Sequence, residues 1–170
     1  MNCRNCLLLL LWVWICGALA QKTKQAQWKE YIYPEDKFAI SALASPGIYP
    51  DPQASDVQIY RWELAPQVIF TIHTGIRPNC LNVLATLKSS PPKSRFGENV
   101  PGSMKDISLN GYKGLEYETH LTTGRRAFER LYCTTQKSYS LTVAFPGNET
   151  RPLEADRMFS SFRIINPSSR

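Results

Sequence analysis

Leu115-Glu116-Tyr117-Glu118-Thr119-His120-Leu121, Ala127-Phe128-Glu129-Arg130-Leu131-Tyr132-Cys133-Thr134 and Ser138-Tyr139-Ser140-Leu141-Thr142-Val143-Ala144-Phe145 alternate in side-chain character residue by residue. Successive side chains of a strand point to opposite faces, so this period of two reads as three half-buried β-strands in a meander. Leu115, Tyr117 and Leu121 share one face of the first strand; Glu116, Glu118 and His120 share the other, wet face. Tyr139, Leu141, Val143 and Phe145 point inward from the third. An odd-numbered loop around Gly124 aligns Tyr117 with Leu131, Leu115 with Cys133 and Glu118 with Arg130. A two-residue turn would oppose Glu118 to Glu129, a like-charge pair, so the odd loop is expected.

Upstream, Trp28 to Tyr33 and Phe38 to Leu43 read as two short strands around Pro34-Glu35-Asp36. The stretch Ala44 to Pro52 holds three prolines, which cannot supply ladder donors, and reads as loop. Two alternating runs from Val57 to Thr74 follow, with Tyr60, Trp62 and Leu64, then Val68, Phe70 and Ile72, on single faces and Ala65-Pro66 as the turn of a hairpin. Pro78 or Asn79 opens a short helix whose stripe is Cys80, Leu81, Leu84 and Leu87. Ser89 to Gly102, rich in proline and glycine, reads as a long loop of the kind that is functional or disordered. After the meander, Pro152 suits a first helical turn, and Ala155, Met158, Phe159 and Phe162 recur at i, i+3, i+4, i+7. Phe162 to Ile165 reads as a closing strand.

The amino terminus carries one basic residue, Arg4, then an apolar run from Leu7 to Ala20 ending Ala18-Leu19-Ala20. A basic residue, a short apolar core and a small-x-small end make a secretory signal peptide, and the run is too short to span a bilayer. The expected organisation is signal peptide 1–20, polar lead-in 21–27, one domain over 28–165 and a polar tail 166–170. The 150 residues left by cleavage form a single ordinary core. The chain carries a formal +6, and +5 without Arg4, a balance that favours anionic partners as well as solubility. Of five cysteines, Cys80 and Cys133 remain after cleavage. In an oxidising compartment they are expected to pair, with two buried thiols as the other reading. A metal site joining them to His73 or His120 lacks the close ligand spacing such sites use.

The most enzyme-like constellation is Glu116, Glu118 and His120 on one strand face, able in principle to bind a cation or do acid/base work in a small hydrolase or metal-dependent enzyme. The competing reading is the solvated face of a strand. His73, at the end of an apolar strand, reads as a partly buried structural residue, and the register turns Cys133 inward, away from thiol chemistry. No nucleophile elbow, zinc-protease helix, phosphate loop or paired C-x-x-C is present in the sequence, which argues against an enzyme, and no cofactor is indicated. Lys88, Lys93, Arg95 and Lys105 form the densest basic cluster, and Arg125 and Arg126 add a basic hairpin tip. These are the candidates for binding an anionic envelope polymer or a protein partner. Nucleic acid is not expected of a secreted chain whose aromatic residues fall on inward faces.

Tyr33-Pro34-Glu35-Asp36-Lys37-Phe38, Gly111-Tyr112-Lys113-Gly114-Leu115-Glu116, Arg130-Leu131-Tyr132, Tyr139-Ser140-Leu141-Thr142-Val143 and the helix Glu154 to Arg163, in that order, resemble the small secreted bacterial proteins of the PsbP-like fold, a fold shared with a Ran-binding nuclear import factor. The resemblance implies an α+β domain, an antiparallel sheet flanked by helices in an α/β/α sandwich. It also implies a non-enzymatic binding or assembly role, and it transfers no catalytic residue. Gly111 and Gly114 are expected to supply positive φ where the chain enters the meander.

Overall fold

The computed structural model describes residues 27–89, 93–94 and 97–165, so the leader, most of the lead-in, Arg95 and the tail lie outside the described residues. The strands are β1 (Lys29–Tyr33), β2 (Phe38–Ala42), β3 (Gly47–Asp51), β4 (Ala54–Ala65), β5 (Val68–Ile76), β6 (Lys93–Ser94), β7 (Gly97–Asn99), β8 (Lys105–Leu109), β9 (Tyr112–Leu121), β10 (Arg125–Cys133), β11 (Lys137–Pro146) and β12 (Arg163–Ile164). The helices are α1 (Cys80–Ser89) and α2 (Leu153–Ser161). A nine-stranded sheet runs β3-β4-β5-β11-β10-β9-β7-β6, with β8 also paired to β9; β1, β2 and β12 form a separate small sheet. Every pairing is antiparallel.

The expected meander is present, with a loop of Thr122-Thr123-Gly124 that is odd-numbered as the charge argument required. Its register differs by two residues: Leu115 faces Leu131, Tyr117 faces Glu129, and Arg130 faces Glu116 rather than Glu118. A shift of two keeps every side chain on its face, so hydrophobic pattern alone does not oppose it. The turn at Gly124, φ +76°, sets it instead.

Two cores occupy the two faces of the sheet. On one, α2 contributes Ala155, Met158 and Phe159, the β1–β2 hairpin contributes Phe38, Ile40 and Ala42, and both close over Tyr60, Phe70, Ile72, Leu141, Val143 and Phe145. Phe159 meets Phe70 edge-on at 4.9 Å between centroids, and Arg130 lies over the Phe159 ring at 4.9 Å. On the other face, α1 covers a smaller cluster of Cys80, Leu84, Leu115, Tyr117, Leu131 and Cys133. Leu115 and Tyr117 therefore face away from the Tyr139–Phe145 row, and the α/β/α sandwich is genuine. Cys80 and Cys133 are joined across this second core, Cα–Cα 5.5 Å.

The hairpin is pinned by a polar network at its turn. Tyr60 donates to Asp36 Oδ2 at 2.5 Å, Lys137 Nζ donates to Asp36 Oδ1 at 2.7 Å, and Tyr139 donates to the Asp36 carbonyl at 3.0 Å. Burial and the Asp36 carboxylate push the Tyr139 phenol up to about 12, so it stays a donor.

Several expectations are corrected. The proline-rich stretch contains β3, and Pro50 is tolerated there because β3 is an edge strand whose outer side needs no donor. The long segment from Ser89 holds the short strands β6 and β7, which extend the sheet beyond β9. Strand β8 is an addition to the sequence reading. Leu81 is 53% exposed rather than part of the buried stripe. Gly111 has φ +84°, as expected, but Gly114 does not take positive φ. A Cβ at Gly114 would stand 2.5 Å from the Leu131 carbonyl oxygen, so there the glycine serves a close approach of backbones.

Candidate functional site

Glu116, Glu118 and His120 do share a face, yet each carboxylate is taken by an arginine. Arg126 donates from Nε to Glu118 Oε1 at 2.6 Å, and Arg130 donates from Nε to Glu116 Oε2 at 2.9 Å. The two carboxylates are mostly covered, at 21% and 14% side-chain exposure, while His120 is 65% exposed and 3.9 Å from Glu118. Each carboxylate is thus engaged by a guanidinium within the sheet rather than left open to a substrate. Among the described residues, no group of three or more His, Cys, Asp or Glu side chains could hold a metal ion.

The expected basic residues separate. Arg126 is committed to Glu118 and lies over the Phe145 ring at 5.5 Å. Arg125 donates from Nη2 to the carbonyls of Gln67 and Ala144, the latter at 2.9 Å, and so fastens the β10 end to its neighbours. The hairpin tip is thus structural. Lys93 lies on β6 in a register row with Glu98 and His120, and Arg95 lies outside the described residues. Lys105 sits opposite Glu116, on the other side of β8 from Asp106, and so does not join Lys88.

Lys88 instead lines a groove with a lysine the sequence reading did not select. The last turn of α1 brings Lys88 into an ion pair with Asp106 of β8, and Lys113 of β9 stands exposed beside them. These three, with Leu81, Leu84 and Ala85 of α1, line a groove of about 440 Å³. Register accounts for the cluster: Asp106 faces Leu115 and Ser108 faces Lys113, so alternation sends Asp106 and Lys113 to the face that α1 covers. The Lys88–Asp106 pair is open to water at 45% and 74% side-chain exposure, where such pairs contribute only about 0–1 kcal/mol and rearrange readily.

A second concavity, about 540 Å³, lies on the same face beyond α1, where the sheet is uncovered. His73, Ser140, Thr142, Glu129, Asp51 and Arg77 line it. Burial lowers the His73 pKa, partly opposed by Asp51, and keeps the imidazole neutral. Burial raises the Glu129 pKa, although hydrogen bonds from Tyr117 at 3.0 Å and Thr119 at 3.3 Å oppose the shift. The Glu129 carboxyl is thereby used within the protein, and the remaining charged groups, Asp51 and Arg77, are of opposite sign. The basin can hydrogen-bond a polar group but has no net preference for anions.

Cyanobacterial PsbP (CyanoP) from Synechocystis sp. PCC 6803 superposes with a TM-score of 0.57, covering 87% of this chain and 99% of that one at 10% identity. The fold is PsbP-like. A Bacteroides thetaiotaomicron VPI-5482 protein shares it, with a TM-score of 0.54 and 9% identity, over 84% of this chain and 50% of that longer chain. No family model matches the sequence, and no curated protein matches it. At such identities the likeness concerns architecture alone.

Within this PsbP-like scaffold, Lys113 and Glu129 are the residues that sequence reasoning passed over. Lys113 sits nine residues before the hairpin loop, and only the docking of α1 against β9 puts it in the groove that Lys88 lines. Glu129 follows from the two-residue register shift, which puts it opposite Tyr117. A carboxylate in an otherwise apolar row, between Ala127 and Leu131, was the available signal.

Proposed function

We propose that this chain is exported and acts as a non-catalytic accessory domain that binds an anionic envelope component, using the groove between α1 and the β8–β9 edge. The observation that carries the reading is that Lys88 and Lys113 line one concave surface, while Arg125 and Arg126 are tied into the sheet and Lys105 turns to its other face. Export is supported by the apolar leader in the sequence and by the Cys80–Cys133 bond, since such bonds persist in oxidising compartments. The PsbP-like fold is compatible with that location, and no helix among the described residues is long and apolar enough to cross a membrane. The pairing of Glu116 and Glu118 with arginines favours binding over hydrolysis.

The test is retention on immobilised heparin, a soluble stand-in for anionic polymer. The wild-type chain elutes with rising salt because screening shortens to about 3 Å at 1 M. Combined Lys88→Gln and Lys113→Glu moves elution to clearly lower salt, whereas Arg61→Gln, at an exposed arginine outside the groove, moves it less. Equal elution of the groove variant and the wild type overturns this reading. Export is checked by the mass of the mature chain, expected to lack residues 1–20.

A further inference from the structure

We infer that the anion taken by this groove is an amphiphile with a single acyl chain, its head group between Lys88 and Lys113 and its chain along Leu81, Leu84 and Ala85. The inference rests on the reading above and sharpens it. A polymer of fixed negative charge needs only cations, but this groove joins two lysines to an apolar strip on one helix. Leu81 is 53% exposed, at a position where the helix stripe would bury it, and Leu84 beneath it is 6% exposed. A volume of about 440 Å³ falls within the range of small-ligand sites, about 300–1,000 Å³, and suits one chain rather than a bilayer surface. The charge matches as well. Asp106 already occupies Lys88, and an incoming carboxylate or phosphate head would replace that solvent-exposed partner at little cost, with Lys113 as the second cation. The neighbouring basin lacks both features, since Glu129 is bonded within the protein and Asp51 offsets Arg77.

The experiment is calorimetric titration of the purified full chain with octanoate, decanoate and dodecanoate below their micellar concentrations. Dodecyl phosphate, neutral dodecyl maltoside, inorganic phosphate and phosphatidylglycerol vesicles are run in parallel, and amide shifts are followed by NMR. Dodecanoate and dodecyl phosphate are expected to bind. Affinity should rise about two- to fourfold for each added methylene, and shifts should concentrate at 81–88, 105–107 and 113–114. Lys113→Glu should weaken dodecanoate about tenfold, and Leu81→Asp should remove the chain-length dependence; both positions are exposed, so folding is retained. If inorganic phosphate and all three carboxylates bind alike and Leu81→Asp changes nothing, the amphiphile assignment fails while the anion-binding function stands. If the maltoside binds as tightly and Lys113→Glu is silent, or binding occurs only to vesicles, or the shifts fall at His73 and Ser140, the assignment is also overturned. No binding by any anion, together with unchanged heparin elution of the groove variant, sinks both readings.

Discussion

Glu129 shows how one carboxyl can tie stability to pH. Burial raises its pKa in the folded chain, so as pH rises past the ordinary value of 4.5 the unfolded state loses this proton before the native state does. The unfolded state then binds fewer protons, and stability falls as pH rises from that value through the native one. Glu129→Gln keeps an acceptor for Tyr117 and removes the ionisation. It is expected to raise the unfolding midpoint at pH 8 and to leave it unchanged near pH 4, and a pH-independent difference in thermal melts would refute this. Asp36 is a carboxylate tied to three elements, accepting from Tyr60 and Lys137 on its side chain and from Tyr139 on its carbonyl. Asp36→Ala orphans the Tyr60 hydroxyl and takes from the Lys137 ammonium its carboxylate partner, leaving it the Glu35 carbonyl, for a loss of about 2–3 kcal/mol by urea unfolding. Gly114→Ala forces a Cβ to 2.5 Å from the Leu131 carbonyl oxygen, and an overpacking loss of about 1–3 kcal/mol is expected by the same measurement.

At the scale of elements, the disulfide does for α1 what hydrophobic area cannot. The helix spans 10 residues and buries only Cys80 and Leu84, so its docking leans on the covalent tie to β10. Cys80→Ser with Cys133→Ser opens a link between positions 53 apart and is expected to cost about 4 kcal/mol in the chain-entropy account. Equilibrium unfolding that shows less than 1 kcal/mol of loss would mean α1 is held by packing alone. Elements with strong periodicity were legible in the sequence: β4, β5, β9, β10, β11 and the buried face of α2 were all read from spacing. Edge elements were not. β3 carries Pro50, β6 and β7 are 2 and 3 residues long, and β8 gains its place only from pairing with β9. A strand with one partner need not bury a whole face, so its sequence keeps little period-two pattern.

At the scale of the whole molecule, the nine-stranded sheet serves two cores, one on each face. Ile72 packs on the α2 side and Leu115 on the α1 side, both fully buried. Ile72→Val and Leu115→Val should each lower stability by about 1 kcal/mol and add to within about 0.5 kcal/mol in a single urea transition, because the sheet transmits unfolding while the contact sets stay separate. Separate transitions for the two variants would show the faces to be independent units. The sequence by itself determined the class, the strands that bury a face, the closing helix with Ala155, Met158, Phe159 and Phe162, and the oddness of the hairpin loop, because burial writes its period directly into side-chain choice. Only the tertiary structure decided which arginine meets which glutamate, that Lys113 joins Lys88, and that Glu129 lies by Tyr117. Those facts depend on register and on partners distant along the chain, and a shift of two residues leaves the hydrophobic pattern unchanged while exchanging every neighbour.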